Sequence, residues 1–139
     1  MAFLGTLDIV GSALTAERYR TDVIMQNIAN EKTTITENGE PYRRKQVVFQ
    51  ERPLSFQEEL NKAKGGVRIA EVRESDREFK AVYDPTHPQA DEEGYVLYPN
   101  VDTTEEMIDL MAASNAYEAN LTALSVVKAM ITKTLEMNK

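Results

Sequence analysis

The one histidine of this chain, His87, stands close in sequence to Asp84, Asp91, Glu92 and Glu93. Carboxylate oxygens beside an imidazole could hold a divalent cation. The same residues also read as an acidic, solvated turn ahead of a strand that starts at Gly94-Tyr95. Carboxylate pairs such as Glu58-Glu59 and Glu92-Glu93 could divide acid and base work in a glycosidase, yet such pairs are too common on surfaces to mark one. The chain has no Cys. It also lacks a glycine-rich phosphate loop and a dinucleotide fingerprint, so no nucleophile and base can be paired. The expectation is a protein that is not an enzyme and uses no cofactor or metal.

Charge narrows the partners. Twenty-three acids against sixteen lysines and arginines give a net charge of −7. Nucleic acid requires a basic footprint, so it is not an expected partner. Without Cys there is neither a disulfide framework nor a thiolate metal site, which suits an extracytoplasmic setting. No stretch approaches the roughly 20 apolar residues of a membrane span. The start, MAFLGTLDIVGSALTAER, lacks the basic region and unbroken apolar core of a secretory signal. A route out of the cytoplasm would therefore be one that removes nothing. Arg43, Arg44 and Lys45 form a basic cluster, while the stretch from Glu71 to Glu93 is acidic. Either the cluster on one subunit faces the acidic corner of another, head to tail, or the two are unrelated solvated surfaces.

These residues hang on an unusual layout. No Gly or Pro occurs between Gly11 and Gly39, or from Val101 to Lys139. Each end can therefore run as one long helix, and the fold class expected is α+β: two long terminal α-helices in coiled-coil packing with a small β-rich middle. The division is 1–38 (helix and following loop), 39–100 (the β-rich middle, with a loop near 52–66) and 101–139 (the second helix). The first helix is expected from Thr6 to Asn30. Leu7, Val10, Leu14, Ile24 and Ile28 share one stripe; Ile9, Ala13, Ala16 and Val23 share a neighbouring one. Asn27 and Asn30 continue the second stripe, either as amides that fix register or as the polar end of an exposed helix.

In the second helix Thr103-Thr104-Glu105-Glu106 reads as a capping box, with Thr103 and Glu106 serving orphan amides. Its stripe runs Met107, Leu110, Ser114, Tyr117, Leu121, Leu124, Lys128, Ile131, Leu135 in three-four alternation. At ~1.5 Å per residue it spans on the order of 50 Å, so much of it should pack outside its own globule. In the middle, Asn38-Gly39 signals a turn, and strands are expected over 42–49, 67–72, 79–83 and 95–98. Pro53 to Gly66 is the expected mobile loop, and Asp84-Pro85-Thr86-His87-Pro88 a stiff corner.

A middle this small is short of core, so the missing burial should come from other copies or partners. The ends are expected to stay uncovered until sister molecules meet them. The candidate packing residues are Leu7, Val10, Leu14, Ile24 and Ile28 in front, and Met107, Leu110, Tyr117, Leu121, Leu124, Ile131 and Leu135 behind. Asn27, Asn30 and Asn120 are candidate register pins. Two readings fit: a subunit of a polymer, or a soluble acidic coiled-coil adaptor or export chaperone.

Specific phrases favour the first. Ser12-Ala13-Leu14-Thr15-Ala16, Asp22 and Asn27-Ile28-Ala29-Asn30 resemble the signature that opens flagellar rod, hook and hook-associated proteins. The run from Glu106 to Asn120 is similar to the closing signature of that axial family. Pro41-Tyr42-Arg43-Arg44-Lys45, Gly65-Gly66-Val67, Tyr83-Asp84-Pro85-Thr86-His87-Pro88, Gly94-Tyr95-Val96 and Pro99-Asn100-Val101 resemble a short rod member. Glu31-Lys32-Thr33-Thr34 departs from several relatives in lacking a Gly-aromatic pair after the Thr. The resemblance implies a structural subunit of the proximal rod of the bacterial flagellar basal body, exported unfolded by the flagellar type III apparatus without signal cleavage. It also implies terminal helices packed in the inner part of a helical tube that transmits torque and walls the export channel. The partners implied are copies of itself, other rod proteins and the adaptor proteins of the export gate and MS ring.

Overall fold

The computed structural model describes residues 2–53 and 65–137. In chain order these form α1 (Ala2–Ala29), β1 (Lys45–Glu51), β2 (Val67–Glu74), β3 (Lys80–Tyr83), β4 (Tyr95–Tyr98) and α2 (Thr103–Met137). The expected loop from Pro53 to Gly66 and the pair Glu58-Glu59 lie largely or wholly outside the described residues.

α2 runs unbroken because nothing in it stops a helix: no Gly or Pro occurs over 103–137. Its start differs from the capping box expected at Thr103. Asp102 is the cap, its Oδ1 accepting the amides of Thr104 (2.9 Å) and Glu105 (3.2 Å). Those bonds, Glu105's first, hold the Asp102 carboxyl below its ordinary 3.8. A carboxylate is a strong acceptor at the positive end of a helix and displaces the hydroxyl one residue on. Thr103 Oγ1 is left buried with no hydrogen-bond partner, and the Glu106 side chain is released for another use. Just past the C-terminus of α1, Asn30 turns back on its own helix, donating Nδ2 to the Gln26 carbonyl (2.8 Å) and accepting Thr33 Oγ1 (3.1 Å).

The two helices pack on each other. Asn27 meets Glu106 and Arg20 reaches toward Asp109, so they run antiparallel. Equal rise then puts the start of α1 level with about residue 131, and nearly the last two turns of α2 project past it. The side of α2 turned to α1 repeats in sevens. Glu106, Leu110, Ala113, Tyr117, Asn120, Leu124, Val127 and Ile131 are buried or half-buried, while nearly everything between them is exposed. This seam corrects the expectation that the ends remain uncovered until a second molecule arrives, because each helix covers part of the other. The covering is partial. Ile108, Met111, Val126 and Met130 stay exposed on α2.

α1 carries a second load, since the β1–β2 hairpin packs against it as well. Ser12 fixes that contact by accepting the Val67 amide (3.0 Å) while donating to the Ile9 carbonyl (2.7 Å). A Cβ at Gly66 would collide with Ser12 Oγ, so only glycine lets the hairpin lie this close. β1 and β2 are antiparallel, and the register shifts between Val48 and Phe49, leaving Ala70 as the extra residue of a bulge. β3 and β4 form a separate antiparallel pair, Lys80 opposite Tyr98 and Tyr83 opposite Tyr95. Their connection is tied by its own backbone. Asp84 Oδ1 accepts from Thr86, Asp91 Oδ1 accepts the amides of Glu93 and Tyr95, and Gly94 turns at φ +85°.

Candidate assembly interface

Where the two helices meet the β-rich middle, a group of polar side chains is buried together. Asn27, 1% exposed, sits near the end of α1. Its Oδ1 accepts the Lys45 amide (2.9 Å) and the Tyr42 hydroxyl (3.0 Å); its Nδ2 donates to the Lys45 carbonyl (2.8 Å) and to Glu106 Oε2 (2.9 Å). Two donors and two acceptors are the full capacity of an amide side chain. Of the two readings the sequence left for Asn27, the exposed helix end is excluded.

Arg44, just before β1, is 3% exposed, and Glu106 is completely buried. Arg44 Nε donates to Glu106 Oε1, and its Nη2 reaches Asp109 Oδ2 at 2.9 Å. The Arg44 backbone is held on both sides. Its amide donates to Asn100 Oδ1 (2.7 Å) and its carbonyl accepts the Ser75 amide (2.8 Å). Asn100 completes the set by donating to the carbonyls of Ser75 (3.2 Å) and Arg77 (2.8 Å). Arg77 forms a two-pronged pair with Glu105 (2.6 and 3.1 Å), whose carboxyl is held low chiefly by that bond. Burial, reinforced by the charge of Glu106, raises the Tyr42 hydroxyl above its ordinary 10.0. A buried charge pair is tolerable only when its remaining lone pairs and protons are also met, and here α1, α2 and the strand ends between them each supply a partner.

This arrangement removes the basic cluster as a free surface. Arg44 is spent on Glu106 and Asp109, Arg43 lies over the Phe79 ring at 4.4 Å, and Lys45 over Tyr42 at 5.5 Å. The head-to-tail contact through residues 43–45 is therefore withdrawn: their charges already face partners in the same chain. Around His87 there is no metal cluster of three or more ligating side chains among the described residues.

The other candidate residues fall into two groups. Val10 and Ile24 are buried, and Leu7, Leu14, Ile28, Leu110, Tyr117, Leu124 and Ile131 are half-buried. Met107, Leu121 and Leu135 are exposed, because the stripe read from sequence straddles the seam edge and these three turn outward. Asn30 bonds within its own helix end, and Asn120 donates to the Ala116 carbonyl (3.0 Å) one turn back. The sequence reading missed Tyr42, Arg44, Asn100 and Glu106 as a set. Its one usable signal was Glu106, the one charge among the heptad seam positions named for α2.

Comparison with known proteins decides the family. Residues 92–137 match a family model described as the flagellar basal body rod FlgEFG protein C-terminal region. The chain is 45% identical to the flagellar basal-body rod protein FlgC of Bacillus subtilis over 150 aligned positions covering all of both chains. The chain belongs to the FlgC family of flagellar basal-body rod proteins. FlgC of Salmonella typhimurium is likewise 45% identical with both chains fully covered, and FlgC of Borreliella burgdorferi is 38% identical over 97% of each. As a family member the chain is a structural subunit of the flagellar basal-body rod, and the adaptor or chaperone reading is not favoured. Its place is the rod of the basal body, and no described helix is long and apolar enough to cross a membrane. Relatives named as rod proteins imply a non-enzyme that assembles with other basal-body components.

Proposed function

We propose that this subunit builds the proximal rod by packing its helix pair, residues 1–38 with 101–139, against the helix pairs of neighbouring subunits, while residues 39–100 face outward. The partners are copies of itself, other rod proteins and the adaptors that join the rod to the export gate and MS ring. The observation that supports this reading is the outer side of α2. Ile108, Met111, Val126 and Met130 are exposed on the faces of this 35-residue helix turned away from the α1 seam, and Met107, Leu121 and Leu135 are exposed along one edge of the seam. A helix that is apolar on two sides is suited to two neighbours. Methionines there adapt to the slightly different surroundings that a helical lattice presents. Torque then passes through many parallel seams rather than through chemistry at one residue.

The test is Leu121→Asp and Val126→Asp in cells. Both sites are exposed in the single subunit, so the variants should fold, be exported and still leave rods incomplete and cells non-motile. Wild-type swimming in both variants would contradict the reading.

A further inference from the structure

The Asn38-Gly39 turn, between the end of α1 and the start of β1, has no part in the contacts described so far. It closes a tight loop in which the Thr36 amide and hydroxyl both donate to the Glu40 carbonyl (2.9 Å each) and the Gly39 amide donates to the Thr36 carbonyl (2.9 Å). Gly39 takes φ +78°, a left-handed conformation that glycine adopts at no steric cost. Glu37, Asn38, Gly39 and Glu40 are all exposed. A Cβ built on Gly39 would meet nothing within 4 Å, so open space lies beside the glycine.

An asparagine followed by glycine can react with its own backbone. Hydroxide takes the proton of the Gly39 amide, and the nitrogen attacks Cγ of Asn38. The new N–Cγ bond closes a cyclic imide, the Cγ–Nδ2 bond breaks, and water protonates the departing nitrogen as ammonia, which restores the hydroxide. A second water opens the ring at either carbonyl, leaving aspartate or isoaspartate at position 38. No electrons are exchanged with any other molecule, and water is the only reagent consumed. Asparagine is thermally labile, and glycine, having no side chain, obstructs the attacking nitrogen least.

The other described asparagines are placed differently. Asn27 spends its amide on four bonds, Asn30 and Asn120 bond to their own helices, Asn100 is buried with bonds to residues 44, 75 and 77, and Asn115 lies inside α2. None of them precedes a glycine. In the folded turn the nucleophile is withheld, because the Gly39 N–H is already given to the Thr36 carbonyl and must leave it before the nitrogen can swing toward Cγ. An unfolded chain imposes no such restraint.

We propose that Asn38-Gly39 is a self-modification site, open to deamidation in the unfolded chain and shut by folding. The product then marks chains that waited before they folded. Isoaspartate adds a carbon to the backbone inside the turn, so the bonds that close it over Thr36 and Glu40 no longer fit together. The turn leads through Pro41 to Tyr42, whose amide donates to the Thr33 carbonyl (3.1 Å) and whose hydroxyl bonds Asn27. A modified turn therefore reaches the buried polar cluster.

The test holds the full-length protein at mildly alkaline pH, once folded and once in urea. Mass spectrometry follows the peptide that spans residues 38 and 39, and enzymatic methylation measures isoaspartate. In urea Asn38 should convert ahead of every other asparagine, and folding should slow its conversion about tenfold or more. Gly39→Ala, compared in urea where its effect on folding does not enter, should slow the reaction several-fold. Converted chains, once refolded, should unfold at lower urea than unconverted ones. Equal rates in the folded and unfolded protein, or no preference for Asn38 over the other asparagines in urea, overturn the proposal. Converted chains with an unchanged urea midpoint overturn its link to the polar cluster.

Discussion

Arg44 and Glu106 are joined across 62 positions of sequence, one nearly and the other wholly out of solvent. Removing one partner strands the other as a buried charge. Glu106→Ala or Arg44→Met should therefore lower stability by about 3–5 kcal/mol, while the double change Arg44→Met with Glu106→Leu should recover most of that loss. Urea midpoints of the four proteins check this. A double variant as unstable as the singles would mean that Asp109 and Asn27, not the pair, set the cost.

Asn27 offers a sharper contrast. Asn27→Leu leaves both polar groups of the Lys45 peptide and the Tyr42 hydroxyl without their partner, each worth roughly 1–3 kcal/mol when buried, so a loss of about 3 kcal/mol or more is expected. Asn120→Ala, which forfeits only a bond to its own helix, should stay within about 0.5 kcal/mol. Equal effects in chemical denaturation would contradict the distinction.

Titration should act at both ends of the pH scale. The Asp102 and Glu105 carboxyls are held below their ordinary 3.8 and 4.5. Their contribution is complete above those values and is lost as pH falls through the lower folded ones. Asp102→Asn keeps a capping amide oxygen but does not titrate, so thermal melts between about pH 5 and pH 2 should show a shallower acid decline in this variant. Tyr42 has the opposite sense, because burial and then the charge of Glu106 favour its neutral hydroxyl. Stability should decline as pH rises from 10 toward its raised folded value. Tyr42→Phe should remove that part of the alkaline slope.

Gly94→Ala places a Cβ 2.9 Å from Tyr83 Cε2 at a φ of +85°. The left-handed backbone alone costs an L residue about 1–2 kcal/mol. The substitution should displace the Tyr83 ring, visible as a loss of near-ultraviolet tyrosine dichroism, with α1 and α2 unaltered in helix content.

Much of the architecture could be read from local pattern. β4 occupies the expected span Tyr95–Tyr98, β3 begins one residue later than expected, and β2 runs two residues further, because period-two alternation and flanking Gly and Pro are local signals. β1 begins at Lys45 rather than Tyr42, since residues 42–44 are drawn inward by Asn27, Asn100 and Glu106, partners 15 to 62 positions away. The same distance hid the polar cluster. Asn100 carries no periodic cue, and Glu106 also fitted a local capping box that Asp102 pre-empted. The α2 stripe was legible to within one helical position. That slip moved Met107, Leu121 and Leu135 from the seam to its outer side, because the broad apolar surface of α2 does not reveal which half faces α1.

The closure of the Asn27 amide has an order in time. Its hydrogen bonds to residues 42 and 45 need only the first third of the chain, whereas the Nδ2 bond to Glu106 waits for a residue three-quarters of the way along. A chain emerging amino end first therefore presents Arg44 with no counter-charge from α2 until position 106 is out. The head of the molecule cannot settle into its final form before the tail has begun to appear.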